Sequence, residues 1–334
     1  MDSLPVPGHQ LPQISPKAYE HPADAAATAA LARVPQLDRV VRKLIELGYE
    51  RALRQRYLGA SIRLGPEQLS DVWRAHQSAY AVLDLPAVPD LHLTQVPVSN
   101  AAAVGASNPF VVVNSGTLNL LDDVELRTVL AHEAAHLLSD HALYRTATQL
   151  VLMLSAAALP IGPIMLPIRL ALLEWSRASE LTCDRGAALV MRDPMAVCRV
   201  MLAMSAGIPS HRLNMEPFMR QAMEYTTGGS GVQRLSRLLS DLGVTHPLPV
   251  RRVKELLDWV RTGAYDRILA GDYVRRGNEP EDARVHAGAA ADHYAERFQS
   301  AFNDAGESLN DAVTKLGDWL RGPGPKGPED PRDE

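Results

Sequence analysis

Two histidines and a glutamate, spaced as on one helix, are the residues in this chain whose types and positions could do chemistry. The run "AHEAAHLLSDH" (131–141) contains His132, Glu133 and His136. Residues four apart lie one turn above each other on the same helix face, so the two imidazoles can bind one zinc ion. Glu133 then projects beside the metal, where a carboxylate can take a proton from a water that zinc activates. The same pattern also fits a helix that only carries histidines.

A catalytic zinc also needs a third protein ligand and an open position for water. Downstream, "EWSRASELTCDRGAALVM" (174–191) predicts a helix with Glu180 and Asp184 on one face. Glu180 could complete a His, His, Glu site, and Asp184 could accept a hydrogen bond from a liganding imidazole and fix its tautomer. The alternative is an acidic pair on a surface helix.

A further histidine, His141, follows His136 by five residues. On a continuous helix this spacing turns it about 140° away from the ligand face. We therefore expect His141 to have a structural or solvated role and not to bind the same metal.

Local signals place these residues on secondary structure. Asp122 and Glu125 form a capping-box pattern that begins the helix carrying the histidines. Two short β signals, at 90–96 and 108–116, precede it. A low aromatic share of 5% with abundant Ala and Leu favours helix elsewhere. The predicted fold class is mainly α with a small β element, α+β, in which residues 109–113 form an edge strand beside the cleft and hold an extended substrate backbone.

Composition excludes several classes of protein. The net charge of −5, without a long basic run, gives no support for nucleic-acid binding. Two cysteines, Cys183 and Cys198, are too few for a disulfide framework and fit a reducing compartment. The first residues do not read as a signal peptide, so the expected localisation is cytoplasmic, with membrane association left open.

An apolar stretch without charges runs over residues 146–168. A single membrane crossing there would separate His132 and His136 from Glu180, and the stretch is too short for two crossings. Its prolines and glycine, in "LPIGPIMLP", predict a central bend. Three interpretations stay open: a hairpin that dips into a membrane surface, a buried apolar hairpin, or an oligomer contact.

The sequence order predicts four regions. They are an extended, Pro-rich N-terminal arm (1–30), a central domain (31–265) with its motif-bearing core at 90–260, a C-terminal helical extension (266–320) and a disordered tail (321–334).

Three motifs in order carry a resemblance: "NSGTLNLLDDVELRTVLAHEAAHLLSDH", "SRASELTCDRGAAL" and "THPLPVRRV" (245–253). Together they resemble the zinc metallopeptidases of the HtpX and CAAX-prenyl-protease type, which belong to the gluzincins. The resemblance implies a gluzincin-type fold with one Zn²⁺ per chain, bound by His132, His136 and Glu180, and Glu133 as general base. It also implies His246 as a stabiliser of the oxyanion.

The resemblance further implies Arg252 as a supporting residue beside the site. The chain departs from the family pattern at Cys183, where alanine is usual, and in lacking the four-helix membrane arrangement of HtpX-like members.

The function expected from these observations is zinc-dependent endoproteolysis of protein or peptide substrates. The alternative is a zinc-bound scaffold or autoinhibited regulator, in which the site is structural or is kept closed by the N-terminal arm. His21 of that arm could reach the open metal position, although an arm histidine without such a role is the favoured interpretation. The oligomeric state is unknown from sequence.

Overall fold

The protein, seen in a computed structural model, is described over residues 8–32, 48–156, 162–227 and 248–279. The helices in chain order are α1 (Pro22–Leu31), α2 (Tyr49–Ala60), α3 (Ser70–Val82), α4 (Ser115–Leu120), α5 (Asp123–Leu138), α6 (Ala142–Ala156), α7 (Gly162–Met191), α8 (Pro194–Ala206), α9 (Met215–Thr227), α10 (Pro249–Arg261) and α11 (Ala264–Leu269). The strands are β1 (Ile62–Leu64), β2 (Leu91–Thr94), β3 (Ala101–Val104) and β4 (Phe110–Asn114). The predicted class, mainly α with a small β element, is confirmed.

The small sheet has the strand order β1-β2-β4-β3. β2 and β4 pair in parallel, and the two outer pairs are antiparallel. Both β signals of the sequence are therefore confirmed as strands, but the expectation that 109–113 form an edge strand is wrong. Phe110 to Val113 are all buried, as in a strand with neighbours on both sides. The edge strand near the cleft is β3.

Helix α5, which carries the histidines, lies in the centre of the molecule. The predicted capping box is confirmed: the Asp122 side chain accepts from the Val124 and Glu125 backbone N–H groups, and the Glu125 side chain accepts from the Asp122 N–H. Most residues of α5 are buried, because α3, α7, α8 and β3 surround it. This enclosure fixes the direction in which each side chain of the helix points.

The contact between α5 and α7 depends on a glycine. A Cβ built on Gly186 would lie 2.5 Å from the Ala135 Cβ and 3.2 Å from the Tyr19 ring. The two helices can therefore approach closely only because position 186 has no side chain. The approach brings the acidic face of α7 against the histidine face of α5.

The N-terminal arm is not extended throughout, and the prediction for 1–30 is wrong for Pro22–Leu31, which form α1. His21 caps the helix through its Nδ1, Pro22 occupies the first turn and alanines fill the rest. These small residues let α1 pack on α7. Before it, Leu11, Ile14 and Tyr19 are also buried in the core.

The apolar stretch falls on the end of α6 and the start of α7, which pack against each other. The bend was predicted over "LPIGPIMLP" (159–167); residues 157–161 lie outside the described residues, but 162–167 form the first turns of α7 and are helical, so the prediction of a bend is wrong for that part. Nowhere in the described ranges is there a helix long and apolar enough to cross a membrane. Most of the predicted C-terminal extension and the whole tail also lie outside the described residues.

Candidate metal centre

Four side-chain atoms from α5 and α7 converge on one point. The Nε2 atoms of His132 and His136 lie 3.2 Å apart. The Glu180 carboxylate faces both, with Oε2 3.3 Å from His132 Nε2 and Oε1 3.2 Å from His136 Nε2. A tetrahedral zinc with bonds of ~2.0–2.1 Å places its ligand atoms about 3.3–3.4 Å apart. The donor types and their spacing therefore fit one zinc ion.

Cys183 is a second possible third ligand. Ligand atoms of His132, His136 and Cys183 all lie within 4.8 Å of one another, a cluster that could bind metal. Burial raises the pKa of the Cys183 thiol well above its ordinary value. A bound metal would itself deprotonate a coordinating thiol, so this pKa does not decide between the two candidate ligands. The distances favour Glu180, because its two carboxylate oxygens lie 3.2–3.3 Å from the two Nε2 atoms.

His132 is oriented by a carboxylate. Its Nδ1 lies 3.2 Å from Asp184 Oδ1, the contact that the helix spacing predicts. Burial disfavours a charged imidazole here, but Asp184 and Glu180 outweigh it and raise the pKa of His132 to about 9. In a metal-bound protein this same partner would accept the Nδ1–H and leave Nε2 free to bind.

Arg252 of α10 neutralises the acidic side of the centre. Its Nε lies 2.8 Å from Asp184 Oδ2, Nη2 also bonds Oδ1, and Nη1 lies 3.3 Å from Glu180 Oε2. Burial opposes ionisation of Asp184, yet Arg252 and His132 hold the pKa of that carboxyl below its usual range. The predicted supporting residue thus contacts both acids.

His136 contacts a second imidazole, that of His141, and not a carboxylate, on its Nδ1 side. The expectation that His141 turns away is wrong, because α5 ends at Leu138 and does not continue to residue 141. Asp140 adopts a left-handed φ of 55°, and the next helix, α6, begins at Ala142. The His141 ring is buried, and its Nδ1 lies 3.0 Å from His136 Nδ1. Burial, together with Arg145, holds the pKa of His136 well below its ordinary value.

Glu133 is almost fully buried, with 4% of its surface exposed. Its Oε2 accepts a hydrogen bond of 2.6 Å from the Ala103 backbone N–H on β3, and Arg145 Nη1 lies 3.4 Å away. The predicted base is therefore tied to the edge strand. Neither Ala103 nor Arg145 was expected at the site.

A cleft of about 580 Å³ opens beside these residues. His132, Glu133 and Glu180 line one side, and the rest of the wall is mostly apolar, with contributions from Val197, Met201, Met204 and Leu248. Ser99, Asn100 and Ala101, at the start of the edge strand, border it. An extended peptide could therefore lie along β3 with one side chain in the apolar part of the cleft.

Of the remaining residues considered from the sequence, one lies outside the described residues and one is bound away from the metal centre. His246 lies outside the described residues. His21 is engaged elsewhere: its Nδ1 accepts from the Ala23 N–H, and its Nε2 lies 3.3 Å from Glu255 Oε2. His21 is thus not placed at the metal, contrary to the autoinhibition hypothesis.

Comparison with known proteins gives a consistent result. Residues 66–260 of the chain match the sequence model of peptidase family M48. The plastoglobule-localized metallopeptidase 48 of Arabidopsis thaliana is 35% identical over 75% of this chain and 74% of its own length. A protease HtpX homolog of Burkholderia multivorans is 30% identical over 54% of this chain and 70% of its own length. No solved structure matches the chain.

Proposed function

The chain belongs to peptidase family M48, and from this premise we propose that it is a zinc-dependent endopeptidase that hydrolyses bonds within protein substrates. Membership establishes a metal-dependent peptidase acting on peptides or proteins. The proposal adds that His132, His136 and Glu180 bind the metal. The observation that carries it is the convergence of their donor atoms at 3.2–3.3 Å.

In this mechanism the residues of the chain position the reactants and move the proton. When bound, zinc supplies Lewis-acid polarisation and makes a water nucleophilic at neutral pH. Glu133 takes the proton of the attacking water and then delivers it to the leaving amine. His246 donates to the developing oxyanion, a role supported only by its motif.

The edge strand β3 is proposed to hold the substrate backbone, replacing β4 in that role. It borders the cleft, and its Ala103 N–H already meets the carboxylate of Glu133. The apolar wall formed by Val197, Met201 and Met204 supports a preference for a large apolar side chain beside the cleaved bond.

We also propose that the metallopeptidase domain begins before residue 31. Buried residues of the N-terminal segment, among them Tyr19 and Ala27, pack into the core with α7. Peripheral membrane contact through 146–168 stays a proposal, which vesicle co-sedimentation of the intact protein would test.

A zinc-bound scaffold or autoinhibited regulator remains the second candidate. The observation that favours it is that Glu133 Oε2 already has two partners, Ala103 and Arg145. A base held in this way would have to leave them to reach substrate.

The deciding experiment is cleavage of unfolded casein by the native protein and by Glu133→Gln, both loaded with zinc to the same stoichiometry. We expect the variant to lose activity by about 10²–10⁴-fold while it still binds zinc, because an amide cannot accept the proton. Glu216→Gln, on the exposed surface of α9, is the matched control and should keep full activity. If both forms bind one zinc and neither cleaves, the scaffold hypothesis replaces the peptidase.

A further inference from the structure

A line of buried polar groups runs from the metal-facing histidine to the N-terminal helix. His136 Nδ1 lies 3.0 Å from His141 Nδ1, and His141 Nε2 lies 3.0 Å from Asp24 Oδ2. Asp24 lies in the first turn of α1 and is completely buried. These contacts join α5, the turn after it and α1, and His141 and Asp24 are not among the residues that line the cleft.

Only one arrangement of protons satisfies all three groups. If His136 Nε2 binds a metal, its lone pair is used there and its Nδ1 must carry the hydrogen. That hydrogen can be donated only if His141 Nδ1 is unprotonated. His141 then carries its hydrogen on Nε2, which donates it to the Asp24 carboxylate. The tautomer of His136 is thus fixed by a carboxylate one imidazole away.

The surroundings hold this line in place. Asp24 Oδ2 also accepts a hydrogen bond of 2.6 Å from Thr182 Oγ1 on α7. Trp175 packs against the edge of the His141 ring at 5.5 Å, and its Nε1 donates to Thr28 Oγ1 on α1. The Asp24 carboxylate is further stabilised by the positive N-terminal end of the α1 dipole. These contacts restrain both the carboxylate and the imidazole.

We propose that Asp24 and His141 are positioning residues that orient His136 for metal binding, so that α1 is part of the metal centre. This inference rests on the proposed function, which assigns His136 as a ligand. α1 precedes the residues that match the family, 66–260. Partners of this kind, which orient a liganding histidine, typically change metal affinity by 10–100-fold.

The competing explanation is that His141 only fills space and satisfies polar groups. Cys183 Sγ, 3.6 Å from His141 Nδ1, could then be its main partner. Two substitutions separate these explanations. His141→Gln keeps an acceptor towards His136 and a donor towards Asp24 at nearly the same spacing, whereas His141→Leu keeps the volume and removes both.

The measurement is zinc affinity by competition with a chelator, together with the visible spectrum of the Co²⁺-loaded protein. We expect His141→Gln to bind zinc within about threefold of the native protein and His141→Leu to bind about 10–100-fold more weakly, with an altered cobalt spectrum. His76→Gln is the control, because His76 is equally buried but contacts Pro89 and not the centre. A folded His141→Leu protein with native affinity and spectrum would overturn the proposal.

A second measurement does not depend on whether His141→Leu folds. In the zinc-loaded native protein, nuclear magnetic resonance should show a slowly exchanging His136 Nδ1–H. Exchange as fast as that of the exposed His211 ring overturns the proposal. If the native protein binds no zinc at all, the proposed function fails. If the native protein and His141→Leu bind zinc with equal affinity, only the proposed positioning role of Asp24 and His141 fails.

Discussion

The two histidines of the centre are held by different means on their two sides. On one side, Asp184 contacts the His132 ring directly and is neutralised by Arg252. On the other, the carboxylate of Asp24 reaches His136 only through His141. The direct support, Asp184, is neutralised by the buried cation of Arg252. The indirect support, Asp24, is held by two neutral hydrogen-bond donors, His141 and Thr182. If both histidines are ligands, as proposed, one is oriented by a direct ion pair and the other by a relay, the hydrogen-bonded line His136–His141–Asp24, and we expect the two to differ in sensitivity to substitution.

The largest effect should come from removing the cation of the direct support. Arg252→Leu removes the cation that contacts the buried Asp184 and Glu180. We expect the free energy of unfolding of the metal-free protein to fall by about 3–5 kcal/mol, because both carboxylates stay buried without a neutralising charge. Denaturant unfolding measures this. Arg261→Leu, on the same helix but exposed, is the control and should change stability by less than about 1 kcal/mol. Equal losses in the two variants would remove the distinction between buried and exposed pairs.

His76 shows what a buried imidazole does without any carboxylate. Burial, partly offset by the bond to Pro89 O, lowers the pKa of His76 to about 4. The unfolded chain, with a pKa near 6.5, binds the proton more readily, so stability is present above that pH and is lost as pH falls towards 4. We expect a loss of about 3 kcal/mol from this group over that window. Denaturant unfolding at several pH values measures it: the free energy of unfolding of the native protein should fall by more than that of His76→Gln as the pH is lowered. If the free energies of the two proteins depend on pH in the same way, the prediction is wrong.

A direct test of the first support is Asp184→Asn. The amide keeps the size of the side chain but weakens the acceptor that fixes His132, and we expect zinc affinity to fall by about 10–100-fold. Competition with a chelator measures it, with Asp258→Asn on the exposed face of α10 as control. Unchanged affinity would show that His132 needs no charged partner.

The smallest effect should come from Asp24→Asn. The relay keeps its hydrogen bonds in part, since an amide oxygen can still accept from His141, and the charge lies one ring further from the metal. We expect zinc affinity to fall by about tenfold or less, below the loss for Asp184→Asn. The same competition assay compares the two variants. A larger loss at Asp24 than at Asp184 would reverse the comparison between the supports.

Sequence reasoning succeeded where the signal was local. Helical spacing places His132 and His136 together, and the same spacing on α7 places Glu180 and Asp184 against them. The capping box at Asp122 was visible for the same reason. Periodicity places each pair on one face of its own helix. The contact between the two faces was expected from the chemistry of a zinc site and from the family resemblance, and the roles as ligand and support remain proposals.

The failures concern long-range contacts and chain reversals. His141 was assigned by continuing a helix that ends at Leu138, and the left-handed conformation of Asp140 leaves little mark in the sequence. The uninterrupted apolar run of β4 does indicate an interior strand, because strands buried on both faces are apolar at consecutive positions. The prediction of an edge strand overlooked this signal. Asp24 had no signal, because no periodic pattern links it to residues more than a hundred positions away.

The placement of Asp24 and Arg252 at one centre has a consequence for biosynthesis. Asp24 is translated long before the histidines, and Arg252 leaves the ribosome after them, about 230 residues later than Asp24. At about 5–20 residues per second this interval is roughly 10–50 s. During that time α1 has neither Thr182 nor His141 to bind until each emerges. The fully supported centre is therefore a late product of synthesis.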